Sequence, residues 1–209
     1  MKFDQLQAYI DSLVPARPQE LVEMEAYAEK HDFPIIGPAT GYLCYQVARM
    51  IKARNIFELG SGYGYSTAWF AAAVKENGGG TVHHVVWDEA LSRRAKMHLA
   101  NLGLDGFVQY HVGEAVATLC AYTGPFDLIF NDIDKEDYPS SLPIIKEKLR
   151  PGGVMVIDNM LWYGRIFKEK DKSASTEGVR LATKALVSDP DWIVTLSPIR
   201  DGVLVACKK

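Results

Sequence analysis

The chain has 209 residues, 48% hydrophobic and 23% charged, which is enough apolar material for one compact domain with a sizeable core. A formal net charge of −3, with no zinc-finger spacing and no long basic run, argues against nucleic acid as a partner. No apolar run is long enough to span a membrane, and Met1 to Ile10 lacks a signal-peptide core, so a cytoplasmic protein is expected. Three separated cysteines make neither a disulfide framework nor a metal cluster, and Cys120 and Cys207, in apolar runs, read as core residues.

The first third of the chain reads as helices. Phe3, Leu6, Tyr9, Ile10 and Leu13 recur at helical spacing until Pro15 and Pro18 interrupt them. A second helix is expected over Gln19 to Lys30, a turn-rich loop over His31 to Pro38, and a third helix after Thr40. From Asn55 the pattern changes to alternation. Short β-rich runs at Ile56 to Leu59, Val82 to Trp87, Val108 to His111, Phe126 to Asn131 and Val154 to Ile157 read as strands buried on both faces. Helical patterns lie between them at Tyr65 to Val74, Ala90 to Leu102, Ala115 to Tyr122 and Ser141 to Leu149. That alternation predicts an α/β doubly wound, Rossmann-like sheet, mostly parallel. After a helix at Thr176 to Ser188, Trp192 to Pro198 and Val203 to Cys207 read as an antiparallel hairpin at one sheet edge. The whole is read as a single domain, with residues 1–54 a helical segment packed on an α/β core of 55–209.

Glu58-Leu59-Gly60-Ser61-Gly62-Tyr63-Gly64 closes the first strand and opens a helix at Tyr65-Ser66. Glycines there allow a tight turn and close approach of a ligand, and ligands of such sheets bind beyond the carboxyl ends of the strands. Tyr65 stands where the dinucleotide pattern requires its third glycine, so a pyrophosphate fits poorly. Glu58 suits a cationic ligand group better than an anionic one. Read alone, the stretch is also compatible with a plain strand–helix connection.

A second signal begins at Phe126, where an apolar strand runs into Asp132-Ile133-Asp134-Lys135-Glu136-Asp137. Val154 to Ile157 ends likewise in Asp158-Asn159. If the two strands are parallel neighbours, Asp132, Asp158 and Asn159 lie side by side. Such an oxygen set suits a hard divalent cation, Mg²⁺ first and Ca²⁺ or Mn²⁺ as alternatives. Lys135, one turn on, is a candidate base. A solvated acidic loop is the competing reading of the first cluster.

The order and spacing of these motifs resemble the cation-dependent O-methyltransferases, the group containing catechol O-methyltransferase and the caffeoyl-coenzyme A O-methyltransferases. The family's E-x-G-x-x-x-G-Y-S stands as Glu58 through Ser66, its F-D-x-I-F-x-D-x-D-K-x-x-Y as Phe126 through Tyr138, its G-G-x-x-x-x-D-N-x-L-W-x-G as Gly152 through Gly164, and its closing D-G-x-x-x-x-x-K as Asp201 to Lys208. The resemblance runs from about Pro18 to the end. It implies S-adenosylmethionine as cofactor, a divalent metal, a phenolic acceptor with neighbouring hydroxyls, and a homodimer. It places Asp132, Asp158 and Asn159 as metal ligands and Lys135 as the catalytic base. Glu58, Gly60, Ser61, Gly62, Tyr65 and Ser66 fall around the methionine part of the cofactor, and Gly113, Glu114 and Ala115 near adenine. Asp132 and Asp134 also border the cofactor, and Trp162 lines the acceptor pocket.

One position departs. The family ends its second strand with an acid that holds the ribose hydroxyls, and here that position is Val86, followed by Trp87-Asp88. Asp88 either replaces the acid or caps the helix that follows. Tyr163, Phe167 and the loop at Ile35 to Pro38 are further candidates to wall an aromatic acceptor. Two other readings stay open at this point: a methyltransferase fold kept as a binding or regulatory module, and a nicotinamide-dependent oxidoreductase.

Overall fold

A computed structural model describes residues 3–209, with side chains from residue 5. Met1 and Lys2, and the side chain of Phe3 in the expected first apolar face, lie outside it. Three helices come first: α1 (Phe3–Ser12), α2 (Gln19–His31) and α3 (Gly37–Met50). Then follow β1 (Asn55–Leu59), α4 (Tyr65–Glu76), β2 (Thr81–Val86), α5 (Glu89–Asn101), β3 (Val108–Val112), α6 (Ala115–Cys120), β4 (Phe126–Asn131), α7 (Tyr138–Lys148), β5 (Leu149–Ile157), α8 (Ala174–Ser188), β6 (Trp192–Ser197) and β7 (Val203–Lys208).

The seven strands form one sheet in the order β3-β2-β1-β4-β5-β7-β6. The first five are parallel, and β7 and β6 join antiparallel beside β5. This is the expected doubly wound sheet with its terminal hairpin. Because strand side chains alternate, each central strand feeds two cores. Ile56, Leu128, Phe130, Val154 and Val156 face the core under α2 to α5. Phe57, Ile129, Met155 and Ile157 face the one under α6 to α8. Among the described residues no helix is long and apolar enough to cross a membrane.

Several bounds differ from expectation for local reasons. Helix α3 starts at Gly37 rather than after Thr40, because Pro38 falls in its first turn, where its missing N–H removes no bond. Helix α7 begins at Tyr138 for the same reason and carries Pro143 within it. Strand β5 starts at Leu149, through Pro151-Gly152-Gly153, with a register shift against β4 between Phe126 and Leu128. Of the cysteines, Cys44 is the buried one, Cys207 is half-buried, and Cys120 is exposed. Leu119 points into the core, and the next helical residue turns roughly 100° away from it.

Candidate active site

The strand order reverses between β1 and β4, and a cavity of about 490 Å³ opens at the carboxyl ends of the parallel strands there. Its floor is the glycine turn. Gly60, at φ +88°, is pressed so closely on the end of β4 that an added Cβ would lie 2.4 Å from the Asp132 carbonyl oxygen. The Asp132 amide donates to the Leu59 carbonyl at 2.8 Å, so the glycine turn and the acidic cluster are one structural unit. A smaller adjoining pocket is lined by Gly60, Ser61, Gly62, Tyr65, Ser66 and the α2–α3 loop at Phe33 and Pro34.

The turn is anchored from behind. The Tyr63 hydroxyl donates to the Met24 carbonyl at 2.8 Å, and the Tyr65 hydroxyl to Glu25 Oε1 at 2.7 Å. Arg17 grips the same Glu25 through two bonds. The N-terminal helices therefore hold the glycine turn in place. Ser61 hydroxyl accepts from the Val85 amide at 2.9 Å, locking the turn to the end of β2. Glu58 is fully buried and accepts from the Thr67 hydroxyl at 2.5 Å, while its Oε1 has no partner. Burial pushes its carboxyl up to about 7, against the Ser66, Thr67 and Ser61 hydroxyls that favour the anion and with the help of the nearby Asp132 charge. A buried carboxylate with an idle oxygen fits a cationic ligand group.

On the β2 and β3 side the wall consists of Val85, Val86, Trp87, Gly113, Glu114 and Ala115. Trp87, 69% exposed, lines the cavity. Asp88 is not part of this wall. Its Oδ1 accepts from the Ala90 and Leu91 amides at 2.6 and 3.2 Å and caps α5. Glu114 lines the cavity, yet both its oxygens are taken by the Val116 and Ala117 amides at the start of α6.

At the opposite end Asp132, Asp158 and Asn159 meet. Asn131 pairs with Ile157 in the parallel register of β4 and β5, so the residues that follow them emerge together. Lys135 Nζ donates to Asp132 Oδ1 at 2.8 Å and to the Ile133 carbonyl at 3.1 Å. Asp158 is buried and its Oδ1 has no partner. Burial first, then the Asp132 charge, hold its carboxyl well above the usual range, with Arg200 and Lys135 opposing. Among the described residues no three His, Cys, Asp or Glu side chains form a metal cluster. The set here is two carboxylates and an amide. Two mutually repelling carboxylates with an idle buried oxygen fit a hard divalent cation.

Asp201 organises this end. Its carboxylate accepts from Asn159 Nδ2 at 3.3 Å and from the Tyr163 amide at 2.5 Å. Its carbonyl accepts from the Leu161 amide at 2.7 Å. That support holds Asn159, Trp162 and Tyr163 at positive φ, a backbone shape L residues adopt only under constraint. Trp162, Tyr163, Asp134 and Ile35 line the cavity, whereas Phe167, 73% exposed, does not. Gly37 and Pro38 belong to α3 rather than to a wall loop. Sequence reading missed Phe33, Pro34, Arg200 and the bracing role of Asp201. The Asp-Gly pair at 201–202 is the signal that marked the last of these.

A glycine turn over a buried acid, beside a ligand cavity on a doubly wound sheet with an antiparallel tail, defines the class I methyltransferase architecture. The chain matches the O-methyltransferase family over residues 16–209. It is similar to a catechol O-methyltransferase of Niastella koreensis, 29% identical over 184 residues that cover 85% of this chain and 82% of that one. It is also similar to caffeoyl-CoA O-methyltransferase 2 of Populus trichocarpa, 26% identical over 228 residues, covering 100% and 90%. Among solved structures, an O-methyltransferase from Streptomyces achromogenes in complex with SAM superposes with a TM-score of 0.88 at 27% identity, covering 100% of this chain and 99% of that one. This chain belongs to the O-methyltransferase family and is an S-adenosylmethionine-dependent O-methyltransferase. That membership sets aside the nicotinamide reading.

Proposed function

We propose that the enzyme methylates one of two neighbouring hydroxyls on a catechol-like phenol, with a divalent metal held by Asp132, Asp158 and Asn159. The observation that carries this reading is the unpartnered buried oxygen of Asp158 beside Asp132, at the far end of the cavity from Trp87. The names of the catechol and caffeoyl-CoA relatives support it. A bound divalent cation would supply Lewis-acid chemistry, lowering the pKa of a hydroxyl that it touches.

This chain's own residues do the rest. Glu58, behind Ser61 and Ser66, holds the ammonium of the methionine moiety. Trp87 offers a face to adenine, with Gly113 and Ala115 beside it. The acceptor oxygen attacks the sulfonium methyl carbon in line, the carbon–sulfur bond breaks, and its electron pair stays on sulfur. Lys135 is the base for the hydroxyl proton, at Nζ. Trp162 and Tyr163 flank the acceptor ring, so positioning supplies much of the acceleration.

Transfer of labelled methyl from S-adenosylmethionine to catechol, with Mg²⁺ and with excess chelator, tests this. Turnover that stops in chelator and returns with Mg²⁺ is expected. Full turnover in chelator rules out the metal. We also propose a homodimer, supported by apolar surface on the outermost strand and its neighbouring helix: Ile193 and Leu196 of β6, Leu181 and Val187 of α8. Light scattering showing a monomer at micromolar concentration counts against it.

A further inference from the structure

Arg200 lies in the turn between β6 and β7 and takes no part in the chemistry described so far. Its backbone sits at φ +49°, a left-handed conformation that disfavours any residue with a Cβ. Its amide donates to Gln7 Oε1 of α1 at 2.7 Å, which fixes the residue in that shape. The side chain passes over Gly37, where an added Cβ would lie 3.2 Å from Arg200 Cδ, and the guanidinium reaches the cavity wall. Its nearest carboxylate, Asp158 Oδ2, is 3.7 Å from Nη1, an ion-pair distance beyond hydrogen-bond reach.

Among the described residues none accepts a hydrogen bond from this guanidinium. The cavity wall has one other cation, Lys135, and its ammonium is taken by Asp132 and the Ile133 carbonyl. A guanidinium carries five donors in a planar fork that matches a carboxylate in two-point contact. Here that fork is partly buried, makes no hydrogen bond to the protein, and borders a cavity whose wall also carries Asp132, Asp134, Asp137 and Asp158. A strained backbone whose side chain makes no hydrogen bond within the fold is a feature expected of a ligand-binding position.

We propose that Arg200 is a specificity-determining residue that binds an anionic substituent, a carboxylate foremost, on the phenolic acceptor. The preferred acceptors are then acidic catechols rather than neutral ones. The inference rests on the methyl-transfer reading above and narrows it. Asp158 keeps the guanidinium at the acceptor end, and the idle donors are the recognition element.

The test compares 3,4-dihydroxybenzoate with catechol as acceptors for the wild type, Arg200→Gln and Arg200→Gly. The wild type is expected to favour the acid in kcat/KM. Either substitution should lower that preference about ten- to a hundredfold, because KM for the acid rises far more than KM for catechol. Arg200→Gly, which suits the left-handed backbone, should keep or raise Tm while losing the preference, separating recognition from folding. A preference that survives both substitutions, or an equal loss for both acceptors, overturns the assignment while leaving methyl transfer intact. A wild type that methylates neither acceptor, although calorimetry shows it binding S-adenosylmethionine, overturns the catechol reading itself and this inference with it.

Discussion

At the end we assign to the cofactor the cavity is made mainly of backbone, and at the end we assign to the acceptor mainly of side chains. The glycine turn, the close contact of Gly60 with Asp132, and the chain at Gly113 and Ala115 shape the first end. Asp132, Lys135, Asp158, Arg200 and Trp162, from three separate stretches of chain, shape the second. A backbone cradle depends on strand order and turn geometry, so one cofactor can be held with few specific side chains. The acceptor end depends on charges that offset one another, Asp132 with Lys135 and Asp158 with Arg200, and on the hydrogen bond from Asn159 to Asp201. Substitutions there should change chemistry and selectivity far more than stability.

Asp158→Ala should break this contrast most visibly. It removes one oxygen of the set, and turnover should fall at least about a hundredfold, since a lost transition-state interaction is worth tenfold per 1.36 kcal/mol. The melting temperature should hold, because the carboxylate that goes is repelled by Asp132 and half unpartnered. Steady-state kinetics and calorimetry check both parts. A large drop in Tm would show that the acceptor end is structural as well.

Glu58→Gln is the matching change at the other end, at the side chain proposed to hold the ammonium. A hydrogen bond to a charged group contributes about 1.5–3 kcal/mol, so cofactor affinity should fall about ten- to a hundredfold. The pH dependence sharpens the point. With Glu58 raised to about 7, the free site is largely neutral at pH 6, and binding an ammonium favours the anion. Wild-type affinity should therefore rise from pH 6 to 8 and level off above, while the Gln variant stays flat. Titration calorimetry with S-adenosylhomocysteine across that range decides it, and a flat wild-type profile would refute Glu58 as the ammonium partner.

The sheet beneath the cofactor end makes a stability prediction. Burial, with the charge of His111 second, lowers His83 to about 4 and His84 to about 3. Burial alone lowers His111. Histidines depressed in the fold are neutral there and protonate on unfolding. The stability tied to their neutrality is complete above pH 6.5, declines below it, and is lost as pH falls through about 4 for His83 and about 3 for His84. The Tm should thus drop between pH 6.5 and 5. His83→Phe, which keeps an aromatic ring against Phe57 and Phe126, should flatten part of that slope.

The smallest effect concerns the ribose position. Asp88→Ala should cost about 1 kcal/mol of stability, as helix caps do, with cofactor affinity within about twofold of wild type. Val86→Glu should strengthen cofactor binding by supplying a partner for the ribose hydroxyls. A large affinity loss in Asp88→Ala would mean that the cap and the ribose contact share one carboxylate.

Much of the enzyme was legible in the sequence because local physics encodes it. Buried β-rich runs alternating with helical patterns imply a doubly wound sheet, and β6 and β7 pair antiparallel as a short 198–202 connection requires. The glycine turn and the two strand-end acids lie in continuous motifs, so Glu58, Asp132, Asp158 and Asn159 could be named before any coordinates. What the sequence left open is what depends on contact between distant stretches. Asp88 stood equally for a ribose partner or a cap, and only the fold shows its oxygen turned to the Ala90 and Leu91 amides. Tyr65 belongs to the cofactor motif, yet its hydroxyl is spent on Glu25 of α2, forty residues away. Arg200 sits in an ordinary-looking turn; its chemistry appears once Gln7 pins its amide and Gly37 clears its path, contacts 193 and 163 residues apart in the chain. Local propensity and periodicity act over a turn or two and are written in neighbouring residues. The pairing of charges across a cavity is set by packing, and no stretch of sequence carries it alone.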